Sequence, residues 1–117
     1  MSGYTDAQTA EIRRLNDELR RDGGVMAPNG LCVVTSGVQA GGAAFVAAAL
    51  TAVAEFDAFT PDNDPHNEHD FGKVEVLGEA LYFKIDYYNL SMDGHSADPT
   101  DTAVTKRVLT IMLVNEY

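Results

Sequence analysis

The sequence predicts a two-layer α+β domain, a mainly antiparallel sheet of about four strands with two helices packed on one face. Three observations carry this prediction. Two segments repeat apolar residues at helical spacing, and four others are alternating or continuous apolar runs bounded by Gly, Pro, Asn or Asp. Their order is helix, strand, helix, strand, strand, strand, with no internal repeat. At 117 residues the chain has the length of one domain built around one core.

Thr5 with Gln8 three residues on is a capping-box pattern, and Ile12, Leu15 and Leu19 follow at helical spacing until Gly23 and Gly24. A helix over 6–22 follows. Arg13, Arg14, Arg20 and Arg21 stand among Glu11, Asp17 and Glu18, which reads as a solvated face with ion pairs along it. Pro28, Asn29 and Gly30 signal a turn, and the β-branched run 31–35 is a strand ending at Ser36 and Gly37. In the Ala-rich stretch 43–56, Phe45, Ala49, Val53 and Phe56 are spaced four, four and three, giving a second helix suited to packing on a sheet. Gly41 and Gly42 precede it, but no Gly-Lys-Ser/Thr follows, so a phosphate loop is set aside.

The aperiodic stretch 60–71, with Pro61 and Pro65, reads as a loop. Runs 73–77 and 80–88 flank Gly78 and Glu79 as the arms of a hairpin. In the second arm Leu81, Phe83, Ile85 and Tyr87 alternate with Tyr82, Lys84, Asp86 and Tyr88, one set for the core and the other polar and aromatic. The tail 108–114 is apolar except at Thr110 and fits a central strand covered on both faces. Val104, Val108, Ile111 and Asn115 also fit a helix, and the β-branched content favours the strand. With both helices on one side, the other face of the sheet is left open for a partner.

The chain is read as a single domain, 1–117, with 1–5 a flexible N-terminus. The first twenty residues lack the apolar run of a signal peptide, and the longest apolar stretch, 43–50, is short of a membrane span, which points to the cytoplasm. Cys32, alone in the run LCVV, reads as a small buried hydrophobe.

Charge is the more informative property. Against 18 Asp and Glu stand 8 Lys and Arg, a net of -10. Residues 57–101 hold eleven acids and two bases, hence -9 of that total. Such a field repels nucleic acid and anionic membrane and steers a basic partner toward the middle of the chain.

The densest part is the stretch from 57 to 70, where Asp57, Asp62, Asp64, Glu68 and Asp70 stand with His66 and His69 and no Lys or Arg. Carboxylates so close repel unless solvated, bonded to loop amides, or met by a cation. Asp62, Asp64 and His66 imitate the start of a calcium loop, but Asn67 and Lys73 occupy the positions of its glycine and bidentate glutamate, so an EF-hand is excluded. His66, Glu68, His69 and Asp70 offer ligands to a divalent metal without forming HExxH. The bland alternative is a loop whose carboxylates bond its own amides. His95 joins this region if the loops meet, and Tyr82, Tyr87 and Tyr88 with Lys84 and Asp86 form an aromatic and polar patch.

The blocks NDPHNEHDFG, KIDYYNL and VTKRVLTIMLVNEY resemble the bacterial domain-of-unknown-function family 3768, over about residues 10–117. The resemblance implies no activity, cofactor or catalytic residue. Its context, proteobacterial and often plasmid- or phage-rich genomes, implies an accessory anti-defence role.

The reading that results is a small acidic, non-enzymatic interaction protein. It would act as an anti-defence inhibitor (anti-CRISPR or anti-restriction, in the manner of a DNA mimic) on a basic nucleic-acid-binding protein. Asp57, Asp62, Asp64, Glu68, Asp70, Asp86 and Tyr88 would form its partner-binding surface. It requires no cofactor, no direct nucleic-acid contact and no membrane, and it leaves a homodimer open. The alternative is a metal-dependent hydrolase or nuclease using His66, Glu68, His69 and Asp70, with His66, His69 and Asp70 as metal ligands.

Overall fold

The structure, a computed structural model, describes residues 3–117. In chain order it contains α1 (Asp6–Asp22), β1 (Gly30–Val34), α2 (Ser36–Gln39), α3 (Ala43–Glu55), β2 (Phe71–Val76), β3 (Glu79–Tyr88), β4 (Lys106–Leu113) and a terminal 3₁₀ turn, Val114–Glu116. The four strands form one sheet in the order β1-β4-β3-β2. This is the α+β architecture that the patterning predicts.

Thr5 accepts a hydrogen bond from the Gln8 amide while the Gln8 side chain accepts from the Thr5 amide, so both halves of the capping box form. The expected flexible N-terminus has its first two residues outside the described ones; Thr5 is held in this cap, and Tyr4 packs against the core. At the other end Gly23 takes a left-handed φ of 66° and donates to the Leu19 carbonyl, closing the helix.

Two of the three strand pairings, β2 with β3 and β3 with β4, are antiparallel. β1 instead runs parallel to β4. A parallel neighbour requires a long crossover, and here α2, α3 and the loop 56–70 carry the chain from one sheet edge to the other before β2 begins. The β2–β3 hairpin turns on Leu77 and Gly78, both at positive φ (51° and 86°), one residue earlier than the composition suggests. Two consecutive positive φ values match the tight turn that fits the strand twist. The tail 108–114 is a strand, not a helix, and ends in the 3₁₀ turn.

α2 was invisible in the hydrophobic pattern because four residues make barely one turn; Thr35 caps it by accepting from the Val38 amide. β2 begins two residues earlier than 73, taking in Phe71 and Gly72. Gly72 is required there by a close approach: a Cβ would lie 2.4 Å from Phe83 Cε2.

The core lies between the helices and one face of the sheet. Ile12 and Leu19 of α1, Val38 of α2, and Phe45, Ala49 and Val53 of α3 meet Leu81, Phe83 and Ile85 of β3 and Leu109 and Ile111 of β4. Registers Phe83↔Ile111 and Ile85↔Leu109 put those four strand residues on the same side. None of α1, α2 and α3 lies over the opposite face.

Candidate functional site

The histidine-bearing loop is held from α1 by four polar residues at helical spacing, Arg13, Asn16, Asp17 and Arg20. Arg13 Nη1 donates to the Asn67 carbonyl (2.9 Å), and Asn16 Nδ2 donates to the Glu68 carbonyl (2.9 Å) and to the Tyr87 phenol oxygen (2.7 Å). Asp17 Oδ1 lies 2.9 Å from His69 Nδ1 and accepts from Arg20 Nη2 at 2.7 Å. Burial works against the Asp17 charge, but the hydrogen bonds from Arg20 and His69 hold its carboxyl below the usual range.

Arg20 then reaches the end of α3, donating to the carbonyls of Val53 (2.7 Å) and Phe56 (2.9 Å), which a helix C-terminus leaves without intrahelical donors. Its guanidinium also lies over the rings of Phe59 and Phe83. Sequence spacing places these arginines on a solvated face. Arg14, between Glu11 and Glu18, and the exposed Arg21 match that picture; Arg20 is buried and Arg13 is a loop clamp.

Inside the loop, Asp64 accepts the amides of Glu68 (3.1 Å) and His69 (3.2 Å). Asn67 and His69 adopt left-handed φ values of 58° and 57°, conformations that Asn and His tolerate better than most side chains. The double kink turns Glu68 inward, where its Oε1 accepts from Tyr87 Oη at 2.7 Å. Burial and the Glu68 carboxylate push the Tyr87 phenol well above its ordinary value, so it stays a neutral donor. Arg107 completes the network, with Nε donating to Asn16 Oδ1 (2.8 Å) and a second nitrogen donating to the Pro99 carbonyl. The His69 ring stacks on Phe59, with centroids 3.8 Å apart and planes within 4°.

These bonds reassign several expected site residues. The sequence reading puts Asp64 and Glu68 on a partner-facing surface; both are 5% exposed and are engaged within the fold, because loop amides and Tyr87 need their oxygens. The metal reading gathers His66, His69 and Asp70. His69 is committed to Asp17 and Phe59 while His66 is exposed, and among the described residues no three or more of His, Cys, Asp and Glu could hold a metal ion. Asp57 and Asp62 are exposed as expected for acidic surface groups.

The remaining three, Asp70, Asp86 and Tyr88, do converge. They line a hollow of about 490 Å³ with Ile85, Tyr87, Met92, Asp93 and His95. It opens because β2 starts only at Phe71, leaving the last residues of β3 without β2 beside them. Asp70 bonds β3 through its carbonyl to the Ile85 amide (2.8 Å), and Ser96 donates back to the Tyr87 carbonyl (3.0 Å). Between those two bonds the strand edge forms the floor of the hollow.

Three carboxylates face this space in different states. Burial, then the charges of Glu68 and Asp64, push Asp70 up to about 6. Hydrogen bonds from Asn89 and Ser91 hold Asp93 below its ordinary value. Asp86 accepts from Lys84 Nζ at 2.7 Å, so its charge is already paired. His95 Nδ1 lies 2.8 Å from the Ser96 carbonyl and its ring meets Tyr87 edge to face. Asp93 and Met92 carry no signal in the sequence, because the turn that returns 89–95 to β3, marked by the Tyr88↔His95 bridge, has no hydrophobic period.

The molecule is thus a mixed-sheet α+β protein with an acidic hollow at one end of its longest strand. It belongs to the family described as Protein of unknown function (DUF3768), whose model matches residues 34–116. The match starts at Val34, after α1 and most of β1, so it holds the whole hollow and only one side of the α1 clamp. No curated protein and no solved structure matches the chain. Among the described residues no helix is long and apolar enough to cross a membrane.

Proposed function

We propose that this protein is a non-enzymatic interaction protein that takes a basic side chain of a partner protein into the hollow at Asp70, Asp86 and Asp93. The observation that carries this reading is Asp70, a carboxylate half-buried in a hollow with two further acids, with its pKa raised to about 6 and, among the described residues, no basic side chain bonded to it. A guanidinium or ammonium entering the hollow relieves that strain and draws the Asp70 pKa back toward its ordinary value. Tyr88 and Met92 supply an apolar wall for the stem of a Lys or Arg. Exposed Asp57 and Asp62 and the net charge of -10 add long-range attraction for the same partner.

A partner of this chemistry is one that presents Arg and Lys to nucleic-acid phosphate, as a DNA-binding defence complex does. Inhibition then follows from occupying those bases. The test is a titration of the ¹⁵N-labelled protein with a short Arg-rich peptide at low salt, at pH 7.5 and pH 5. Shifts concentrated at 85–95 are expected at pH 7.5, weaker at pH 5 as Asp70 takes up its proton, and strongly reduced in Asp70→Asn/Asp93→Asn. Equal shifts in that variant, or shifts scattered over the helical side, would sink the reading. In the inhibitory mode, a captured basic protein also loses binding to duplex DNA when this protein is added.

A further inference from the structure

The sheet face without helices adjoins the hollow, sharing Asp86 and Tyr88 with it, and has an unusual charge. All three lysines of the chain, Lys73, Lys84 and Lys106, stand on it, because Lys73 pairs with Tyr82, Lys84 follows two residues on, and Lys106 pairs with Tyr88. The same registers give it two carboxylates, Glu75 and Asp86. Three bases against two acids leave it near neutral on a chain whose net charge is -10. Among the described residues, neither Lys73 nor Lys106 forms an ion pair.

Its apolar content is equally uneven. β2 and β3 alternate, but β1 and β4 are apolar on both sides. Leu31 and Val33 of β1 lie beside Val108 and Thr110 of β4, and Met112 continues the row. Leu31 and Val33 remain 38% and 37% exposed. Val108 and Met112 are buried, yet neither belongs to the core cluster under the helices. A strand apolar on both faces is the pattern of a strand covered on both faces, and the helices cover only one. Phe71, Tyr82 and Tyr117 form an aromatic cluster on the β2 side of the same face.

We infer that the cover is a second copy of this chain, the two sheets packing face to face about a two-fold axis. Charge selects that occupant. A basic partner of the kind drawn to the hollow meets three lysines here, whereas two copies, each at -10, repel except where this face meets its equal. A two-fold arrangement lets the unpaired Lys73 and Lys106 of one copy meet Glu75 of the other, while Lys84 and Asp86 pair within each copy, so the surface complements itself. Four strands about 4.8 Å apart and roughly seven residues long on average present about 450 Å² in projection. Two such faces reach about 900 Å² before the relief of their side chains is counted, close to the lower bound of a specific interface.

Sedimentation velocity on the full chain between about 5 and 200 μM tests this, with Leu31→Asp/Val33→Asp as the disrupting variant and circular dichroism as its folding control. The wild type is expected at twice the 12.6 kDa chain mass and the folded variant at that mass itself. Lys73→Glu/Lys106→Glu, at sites of no intrachain ion pair, keeps the test decisive if the first variant unfolds, and is expected to weaken association at least tenfold. A wild type that sediments as a monomer at about 200 μM overturns the inference. So does a dimer that survives either folded variant unchanged.

Discussion

Asp70→Asn is expected to make the protein more stable while removing the charge its hollow offers to a partner. In the folded chain the carboxyl sits at about 6 against an ordinary 3.8, burial being the main cause. About two units at 1.36 kcal/mol each give roughly 3 kcal/mol as an upper bound on the cost of ionising it there. Asp70 is only half-buried, so solvent screening reduces the figure to about 1–2 kcal/mol.

The sign follows from proton counting. Between about pH 4 and 6 the unfolded chain has released this proton and the folded one still holds it, so wild-type stability falls as pH rises. Below that window both states are protonated, and above it both are ionised and the penalty is constant. Asn keeps the shape and an acceptor oxygen and lacks the titration. Thermal melts should therefore show the variant about 4–8 °C more stable at pH 7.5 and nearly equal to wild type at pH 3.5. An equal gain at both pH values would refute the electrostatic argument, and no gain at pH 7.5 would show that Asp70 is solvated.

Two further perturbations probe the frame that holds the site. Asn16→Ala leaves Arg107 Nε, the Glu68 carbonyl and the Tyr87 phenol oxygen each short of a partner in a site of 0% exposure. At about 1–3 kcal/mol per stranded group, a loss of at least 3 kcal/mol is expected in urea unfolding, and a loss under 1 kcal/mol would mean that water replaces the amide. Gly72→Ala should lose about 1–3 kcal/mol despite the better strand propensity of Ala, because its Cβ has Phe83 Cε2 only 2.4 Å away. A stabilised Ala variant, read from the same unfolding curves, would contradict the packing described.

The fold was legible where burial has a period. Ile12, Leu15 and Leu19 mark α1, and the alternation through Leu81, Phe83, Ile85 and Tyr87 fixes β3 to within a residue of its observed start. The parallel placement of β1 was not legible, since its run states that a strand is apolar and not which neighbour it takes. The loop was legible in composition and misleading in role. Asp64 and Glu68 look identical in sequence to Asp57 and Asp62, and only the left-handed turns at Asn67 and His69 decide which carboxylates face inward. The clamp Arg13, Asn16, Asp17 and Arg20 was present at helical spacing; its neighbours Glu11, Arg14 and Glu18 offered simpler surface pairings that hid it.

Folding also sharpens the charge asymmetry that the sequence displays. Of eight bases, Arg20 and Arg107 are buried in internal networks, and all three lysines are gathered on the open sheet face. Asp57, Asp62 and Asp93 remain exposed at the loops, and Asp70 lies half-buried in the hollow that Asp93 also lines. The buried pairs are settled by hydrogen bonds that stabilise the fold, and Asp93 by Asn89 and Ser91. Asp70 differs from all of these. Its ionised form is opposed by burial and by Glu68 and Asp64, and among the described residues no bond to a basic side chain offsets this. Stability alone therefore favours Asn at that position, whereas a cation from a partner turns the same carboxylate from a cost into a contact.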